Sequence, residues 1–379
     1  MFDRWTKGNR ERRQRASIAA AGACFLVLAT LLSAPIVPPA SSQQNLLASQ
    51  GFAGSTACAS CHPAIHRTHG QTAMRAALLP PASERALALR VPIEGTVDGA
   101  NYRIQKGPDG GFQYRVEFAN KRLEAPIRWA FGLGTAGQTY VLEHQDALVE
   151  SRVSYYDAVR GLDLTIGAAN AKPTTVEEAL GRTMSTADIR ECFGCHALGV
   201  PTSGDVPLTG IEFGVGCENC HGPAAAHVVA RQKGDLQSAK MPSLKGLESE
   251  EVNQLCGKCH RTWEDVMSLR IRGVNNVRFQ PYRLTLSKCY DSSDARIGCV
   301  ACHNPHENPA SGAAAYDARC QACHATPVAS GKAAPGCRAG NTAQCSSCHM
   351  PKRDLPGAHR AFTDHYIRVH RQGEPYPDL

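Results

Sequence analysis

The chain has 379 residues, room for two or three domains, with only 6% aromatic and 20% charged residues and a formal net charge of +7. Glycine (34) and proline (23) are plentiful, and the 17 cysteines are the outlier. Composition excludes a collagen-like or low-complexity chain, length excludes a disulfide mini-scaffold, and the cysteine load argues against an ordinary cytosolic enzyme.

Residues 1–15 carry Arg4, Lys7, Arg10, Arg12, Arg13 and Arg15 against Asp3 and Glu11. An apolar run of 15 residues, Ile18 to Leu32, follows, and Ala40-Ser41-Ser42 offers a small-residue cleavage site. This is the layout of a secretory signal peptide over 1–42. The run falls short of the ~20 residues a spanning helix needs, so an uncleaved membrane anchor is the lesser alternative. Arg12-Arg13 is not followed by Phe-Leu-Lys, which speaks against twin-arginine export. Cleavage would remove Cys24, six bases and two acids, leaving +3 and no basic stripe, so no nucleic-acid partner is expected.

Residues 43–90 read as a polar linker and a first Cys-x-x-Cys-His motif, Cys58/Cys61/His62. About 130 residues later the motif returns six times: Cys192/Cys195/His196, Cys217/Cys220/His221, Cys256/Cys259/His260, Cys299/Cys302/His303, Cys320/Cys323/His324 and Cys345/Cys348/His349. Random placement would yield roughly 0.03 copies of this c-type haem-attachment pattern.

The segment between, 91–167, reads as a small antiparallel β domain. Tyr102-x-Ile104 and Phe112-x-Tyr114-x-Val116-x-Phe118 alternate with period two around a Gly107-Pro108-Asp109-Gly110-Gly111 turn. Ile127, Trp129, Phe131 and Leu133 alternate again, and Tyr140-Val141-Leu142 and Val153 to Tyr156 predict further strands. Residues 168–379 hold the six-motif array, with short helices over Thr175 to Leu180 and from Ser249 into the Cys256 motif, joined by long loops.

Cysteines at i and i+3 with His at i+4 share one face of a helical turn. Both thiols can add to the vinyl groups of one haem while the imidazole takes its iron from the proximal side. Seven motifs predict seven covalent haems c, with haem filling the core that sparse aromatics leave unfilled; the propionates would make the loaded protein acidic. Zinc and thioredoxin-like readings of Cys-x-x-Cys require neither the repeated His nor export.

Eight histidines lie outside the motifs, barely more than seven irons need as sixth ligands. His306 is three residues past His303, and three residues span at most about 10 Å, so it cannot reach the far face of the same haem. His227, six past His221, is barely able to. Both are expected on neighbouring haems, alongside His69, His365 and His359 as further sixth ligands. His144 reads as structural, His66 and His370 are left open, and Met74 is either a thioether ligand of the first haem or a packing residue.

Several stretches resemble multihaem cytochromes c. Cys217 to Pro223 with His227 is similar to their Cys-x-x-Cys-His-Gly-Pro-x-x-x-His element, and Cys299 to His306 to their Cys-x-x-Cys-His-x-Pro-His element. Cys345 to Lys352, followed by Thr363-Asp364-His365, resembles the C-terminal part of ammonia-forming cytochrome c nitrite reductase, in a group that includes hydroxylamine oxidoreductase and the tetrahaem cytochromes that accept its electrons. The resemblance covers roughly 190–370 and 56–75 and implies haem binding. The nitrite reductases carry Cys-x-x-Cys-Lys at the catalytic haem, whereas all seven motifs here end in His, so that active site does not carry over. The two remaining cysteines, Cys289 and Cys337, are expected to pair in an exported chain.

The resulting expectation is a periplasmic heptahaem electron carrier between redox proteins or quinol-linked donors, with no catalytic residues assigned. The alternatives are a multihaem reductase or oxidase of a small nitrogen or sulfur compound, flanked by His359, Arg360, Lys352 and Arg353, and a strand region that docks a membrane-associated partner.

Overall fold

A computed structural model describes residues 47–168, 171–294, 296–324, 344–371 and 373–377. The expected signal peptide with Cys24, and Cys337 with its expected pairing to Cys289, lie outside the described residues. Among the described residues, no helix is long and apolar enough to cross a membrane.

The alternating sequence after the first motif forms ten antiparallel strands: β1 (Leu78–Leu79), β2 (Ile93–Val97), β3 (Ala100–Lys106), β4 (Phe112–Phe118), β5 (Lys121–Gly134), β6 (Gly137–His144), β7 (Ala147–Ser151), β8 (Val153–Tyr156), β9 (Gly161–Leu164) and β10 (Gly181–Thr183). Their order is β10-β7-β6-β5-β4-β3-β2, with β1 on β5 and β8 joining β6 to β9. Cross-strand pairs Tyr102–Val116 and Ile104–Tyr114 put the period-two residues of β3 and β4 on one buried face. The turn between them closes through Gly107 N–H to the Gly111 carbonyl at 2.7 Å, while Asp109 Oδ1 accepts from Gly111 N–H. The sheet reaches beyond 91–167 at both ends, since β1 and β10 belong to flanking segments whose own apolar residues are too few to show as strands.

The helix Val176–Leu180 forms where expected, with Thr175 as N-cap, and packs Val176, Ala179 and Leu180 into the sheet core. In β5 the alternation breaks: a register shift between Ile127 and Trp129 turns Trp129 and Phe131 toward a second cluster with Leu78, Phe193, Ala197 and Ile211. Phe193 meets the ring edges of both, at 5.3 and 5.0 Å. β5 is therefore the seam between the sheet and the Cys192 motif.

Beyond it, regular structure is short. Helices run from four residues (Cys299–Cys302) to 12 (Ser249–His260), and two hairpins, β11 (Ala197–Leu198) with β12 (Glu212–Phe213) and β13 (Lys352–Leu355) with β14 (Arg360–Thr363), complete the elements. The buried apolar cluster in this part is small, built on Val266, Phe279 and Tyr282.

Candidate metal centre

Five motifs lie wholly within helices: Thr186–His196, Cys217–His221, Ser249–His260, Asp317–His324 and Cys345–His349. The fifth motif is helical to Cys302, and in the first the helix Ser55–Cys58 stops at Cys58, although His62 N–H still bonds the Cys58 carbonyl at 2.8 Å. The spacing thus places thiols and imidazole on one turn, as the i, i+3, i+4 geometry requires. Capping sets several of these turns. Ser185 and Asp188 form a reciprocal box ahead of the Cys192 motif, and Thr262 caps the helix Trp263–Ser268 that follows His260.

The motifs are brought together out of chain order. Thiols of different motifs are electrostatic neighbours: Cys58 with Cys217, Cys195 with Cys259, Cys256 with Cys299, and Cys320 with Cys345. The first motif, isolated in sequence, is folded against the third. Glu218, buried within the Cys217 motif, accepts from the backbone N–H groups of Ala53 (2.9 Å), Gly54 (2.8 Å) and Ala224 (2.7 Å), and Glu212 accepts from Ser55 N–H at 2.9 Å. Arg75, after the first motif, pairs with Glu212 at 3.0 Å and donates to the Phe213 carbonyl. Gly214 sits at φ 77° under the Arg75 carbonyl, where a Cβ would lie 1.9 Å from the oxygen. These carboxylates carry no spacing signal, so sequence reading missed them.

The two thiols of a motif are not equivalent in exposure. The second thiol is exposed in six motifs, at Cys61, Cys220, Cys259, Cys302, Cys323 and Cys348, whereas Cys195 and every first thiol are half-buried. In three of the four thiol pairs the neighbours are the first cysteines of both motifs. The second cysteine, three residues on, is left at the rim. Cys61 and Cys348 there have only weak contacts from the preceding hydroxyls, Ser60 Oγ at 3.8 Å and Ser347 Oγ at 3.9 Å, and Cys323 ends the exposed side of the helix Asp317–His324. An exposed thiol still serves the expected role, since a covalent thioether needs access to a vinyl group and no enclosing apolar surface.

Two imidazole pairs stand out. The His221 and His306 rings are 6.2 Å apart and 4° from parallel, and the His303 and His365 rings are 6.2 Å apart at 40°. With a metal–nitrogen distance of about 2 Å and a ring centre about 1.1 Å behind each nitrogen, two imidazoles on opposite sides of one iron are about 6 Å apart. His306 thus faces the histidine of another motif rather than His303, its neighbour in sequence.

The second ring nitrogen sorts the remaining candidates. A ligating histidine usually gives its other N–H to a carbonyl or carboxylate, which fixes the tautomer. Nδ1 does so in His196 (Ala77 carbonyl, 2.8 Å), His260 (Gln280 Oε1, 3.1 Å), His349 (Arg368 carbonyl, 2.9 Å), His227 (Ala239 carbonyl, 3.1 Å) and His365 (Thr363 carbonyl, 3.0 Å). Among the described residues none of these rings has a hydrogen bond at Nε2. His359 and His370 are the opposite case. His359 Nε2 is held by Asp163 Oδ2 at 2.7 Å with the ring against Tyr156, and His370 Nε2 accepts from Arg353 at 2.9 Å. The expectation of His359 as a sixth ligand therefore meets a ring whose usual ligating nitrogen is taken by the sheet. His69 is buried on the helix Pro63–Gly70, near His306 and Arg75, while His66 is only half-buried. His144, at the end of β6, has a buried Nε2 without a hydrogen-bond partner among the described residues. The Met74 carbonyl accepts from Val215 N–H at 3.0 Å, so its backbone is part of the link between the first and third motifs.

Burial pushes the pKa of His196, His221, His260 and His303 down, and that of His365 down to about 4. All are thus neutral imidazoles near pH 7, the form that binds metal.

A cavity of about 540 Å³ opens beside Cys259 and His260, with Leu269, Ile271 and Phe279 on its apolar wall and Arg261 and Arg278 on its rim. Arg261 pairs with Glu191. Arg278 has a buried Nε without a partner among the described residues, and burial, with Arg261 beside it, lowers its pKa. An apolar bed with a cationic rim fits a porphyrin and its carboxylates. Donor set, ring spacing and cavity all suit haem.

Comparison with known proteins agrees with this chemistry. A family model described as cytochrome c554 and c-prime matches residues 165–222, which include the second and third motifs. No curated protein sequence matches the chain. The crystal structure of the outer cell wall cytochrome OcwA superposes with a TM-score of 0.51 at 15% identity, covering 84% of this chain and 80% of that one. At that identity the likeness is one of fold: the chain is folded similarly to an outer cell wall cytochrome and contains a stretch similar to cytochrome c554.

Proposed function

We propose that this chain is an exported multihaem c-type cytochrome that passes electrons between redox partners. Its fourteen motif cysteines would hold seven haems c by thioether bonds, and the seven motif histidines would be their proximal ligands. Haem held by these residues would supply one-electron redox chemistry. The protein's own part is to fix the ligands, exclude water from their rings and bring neighbouring motifs into contact.

The observation that carries this reading is the His221–His306 pair, set at the spacing of two imidazoles on one iron. Imidazole on both sides closes an iron to substrates and suits electron transfer. A carrier is favoured over a reductase because His359 and Arg353, expected to flank an open iron, are engaged with Asp163 and His370. The basic, apolar and small-residue N-terminus and the fold likeness to an outer cell wall cytochrome support export to the periplasm or beyond. Redox proteins or quinol-linked donors are the partners this chemistry suits.

The test is expression in a host that matures c-type cytochromes. Pyridine haemochrome against protein mass should give about seven haems per chain, reducible by dithionite and reoxidised by a soluble redox protein. Five or fewer in fully matured protein would reject the count, and none would reject the reading.

A further inference from the structure

The helix Gln280–Thr285 has six residues, yet hydrogen bonds lead from it toward three motifs. Gln280 receives the His260 ring N–H. One turn on, Arg283 grips Asp364 with two parallel bonds, Nε to Oδ1 at 2.8 Å and Nη2 to Oδ2 at 3.0 Å. Both side chains are at 0% exposure. The third arm, Nη1, donates to the Pro377 carbonyl at 3.0 Å, and Tyr376 lies under the guanidinium at 4.6 Å.

Asp364 is also bonded from its own strand end, by Arg368 Nη1 at 2.9 Å and Tyr366 N–H at 3.1 Å. Its neighbour His365 is the ring that faces His303. Ser287, just past the helix, donates to the His365 carbonyl at 3.3 Å and accepts from Ile367 N–H at 2.8 Å. Arg368 bonds His349 twice: its carbonyl takes the ring N–H at 2.9 Å, and its N–H donates to the His349 carbonyl at 3.2 Å.

A buried ion pair is weak evidence for stability, because desolvating the charges offsets most of their attraction. What a two-pronged guanidinium–carboxylate fork does supply is direction. We propose that Arg283 and Asp364 are positioning residues: their fork fixes His365 opposite His303 and, through Arg368, aims the ring of His349, so that one ion pair sets ligand geometry at two metal centres. This rests on the haem reading above. The rival is an ion pair that only pins the C-terminal segment to the fold.

The test uses the full, matured chain. Asp364→Asn and Arg283→Met are compared with His365→Ala, and with Arg152→Ala, which breaks the buried Arg152–Asp98 pair (2.7 Å) in the sheet. Haem content, electron paramagnetic resonance and a redox titration are read for each. Positioning predicts unchanged haem content, conversion of about one haem from low spin to high spin as in His365→Ala, and a shift in one further midpoint potential. Arg283→Lys, which keeps the charge but loses the fork, should restore only part of the low-spin signal. Arg152→Ala should lower the melting temperature with spectra unchanged. Should Asp364→Asn fail to mature, Asp364→Glu keeps the charge and displaces the carboxylate by one methylene, with the same expectation. Variants that lose stability like Arg152→Ala while spin state and potentials hold would overturn the proposal. Absence of haem from the parent chain would instead strike the haem reading, before any variant is compared.

Discussion

His306 faces His221 across 6.2 Å with the two rings 4° from parallel, although His306 follows directly on a different motif. A tail of three residues is too short to bend around its own haem but long enough to serve the next one. Linking motifs this way would couple the placement of two haems to one short loop.

Replacing His306 tests the link. His306→Ala should leave haem content intact and turn about one haem from low spin to high spin, read by electron paramagnetic resonance. His306→Met should raise one midpoint potential, since a thioether opposite His favours the ferrous iron. A wholly low-spin spectrum in the alanine variant would detach His306 from the iron.

Arg278 lines the cavity beside Cys259 and His260 and has no acidic partner among the described residues. Its charge would favour electron uptake nearby and bind a porphyrin carboxylate. Arg278→Gln should therefore lower one midpoint potential by on the order of 50 mV, with the others unmoved. Potentiometric titration of both proteins decides this, and identical curves would exclude the contact.

The Ser185–Asp188 box should be felt at low pH. Hydrogen bonds from Ser185, then Arg182, hold the Asp188 carboxyl at about 2 against an ordinary value of 3.8. A depressed carboxyl stabilises the folded chain fully above its unfolded pKa, and that contribution is lost as pH falls through about 2. Asp188→Asn should remove this part of the acid dependence, seen in acid unfolding followed by circular dichroism. Ser185→Ala should cost about 1 kcal/mol at neutral pH through loss of the cap on the helix Thr186–His196.

Gly214 is the tightest joint between the first and third motifs. Gly214→Ala puts a Cβ 1.9 Å from the Arg75 carbonyl oxygen at φ 77°, so stability should fall by about 2–4 kcal/mol. Chemical denaturation measures it, and a loss under 1 kcal/mol would show that the Arg75 segment yields.

What the sequence by itself determined is local. Cys-x-x-Cys-His is read within five residues, and the strands β3 and β4 within a period of two, because a helical turn and a pleat need no distant partner to orient side chains. The caps Thr175 and Ser185 emerge only in the structure, although each acts within three residues of its own helix. Only the tertiary structure decided which imidazole faces which, which thiol of a motif meets its neighbour and which, as at Cys61, Cys323 and Cys348, is turned outward. It also decided that His359 is held by Asp163 while His365 stays free to face His303, and that the first motif lies on the third. The physical reason is that a sixth ligand, a backbone carbonyl on Nδ1 or a buried carboxylate such as Asp364 is recruited across the fold, where spacing along the chain carries no information about distance in space.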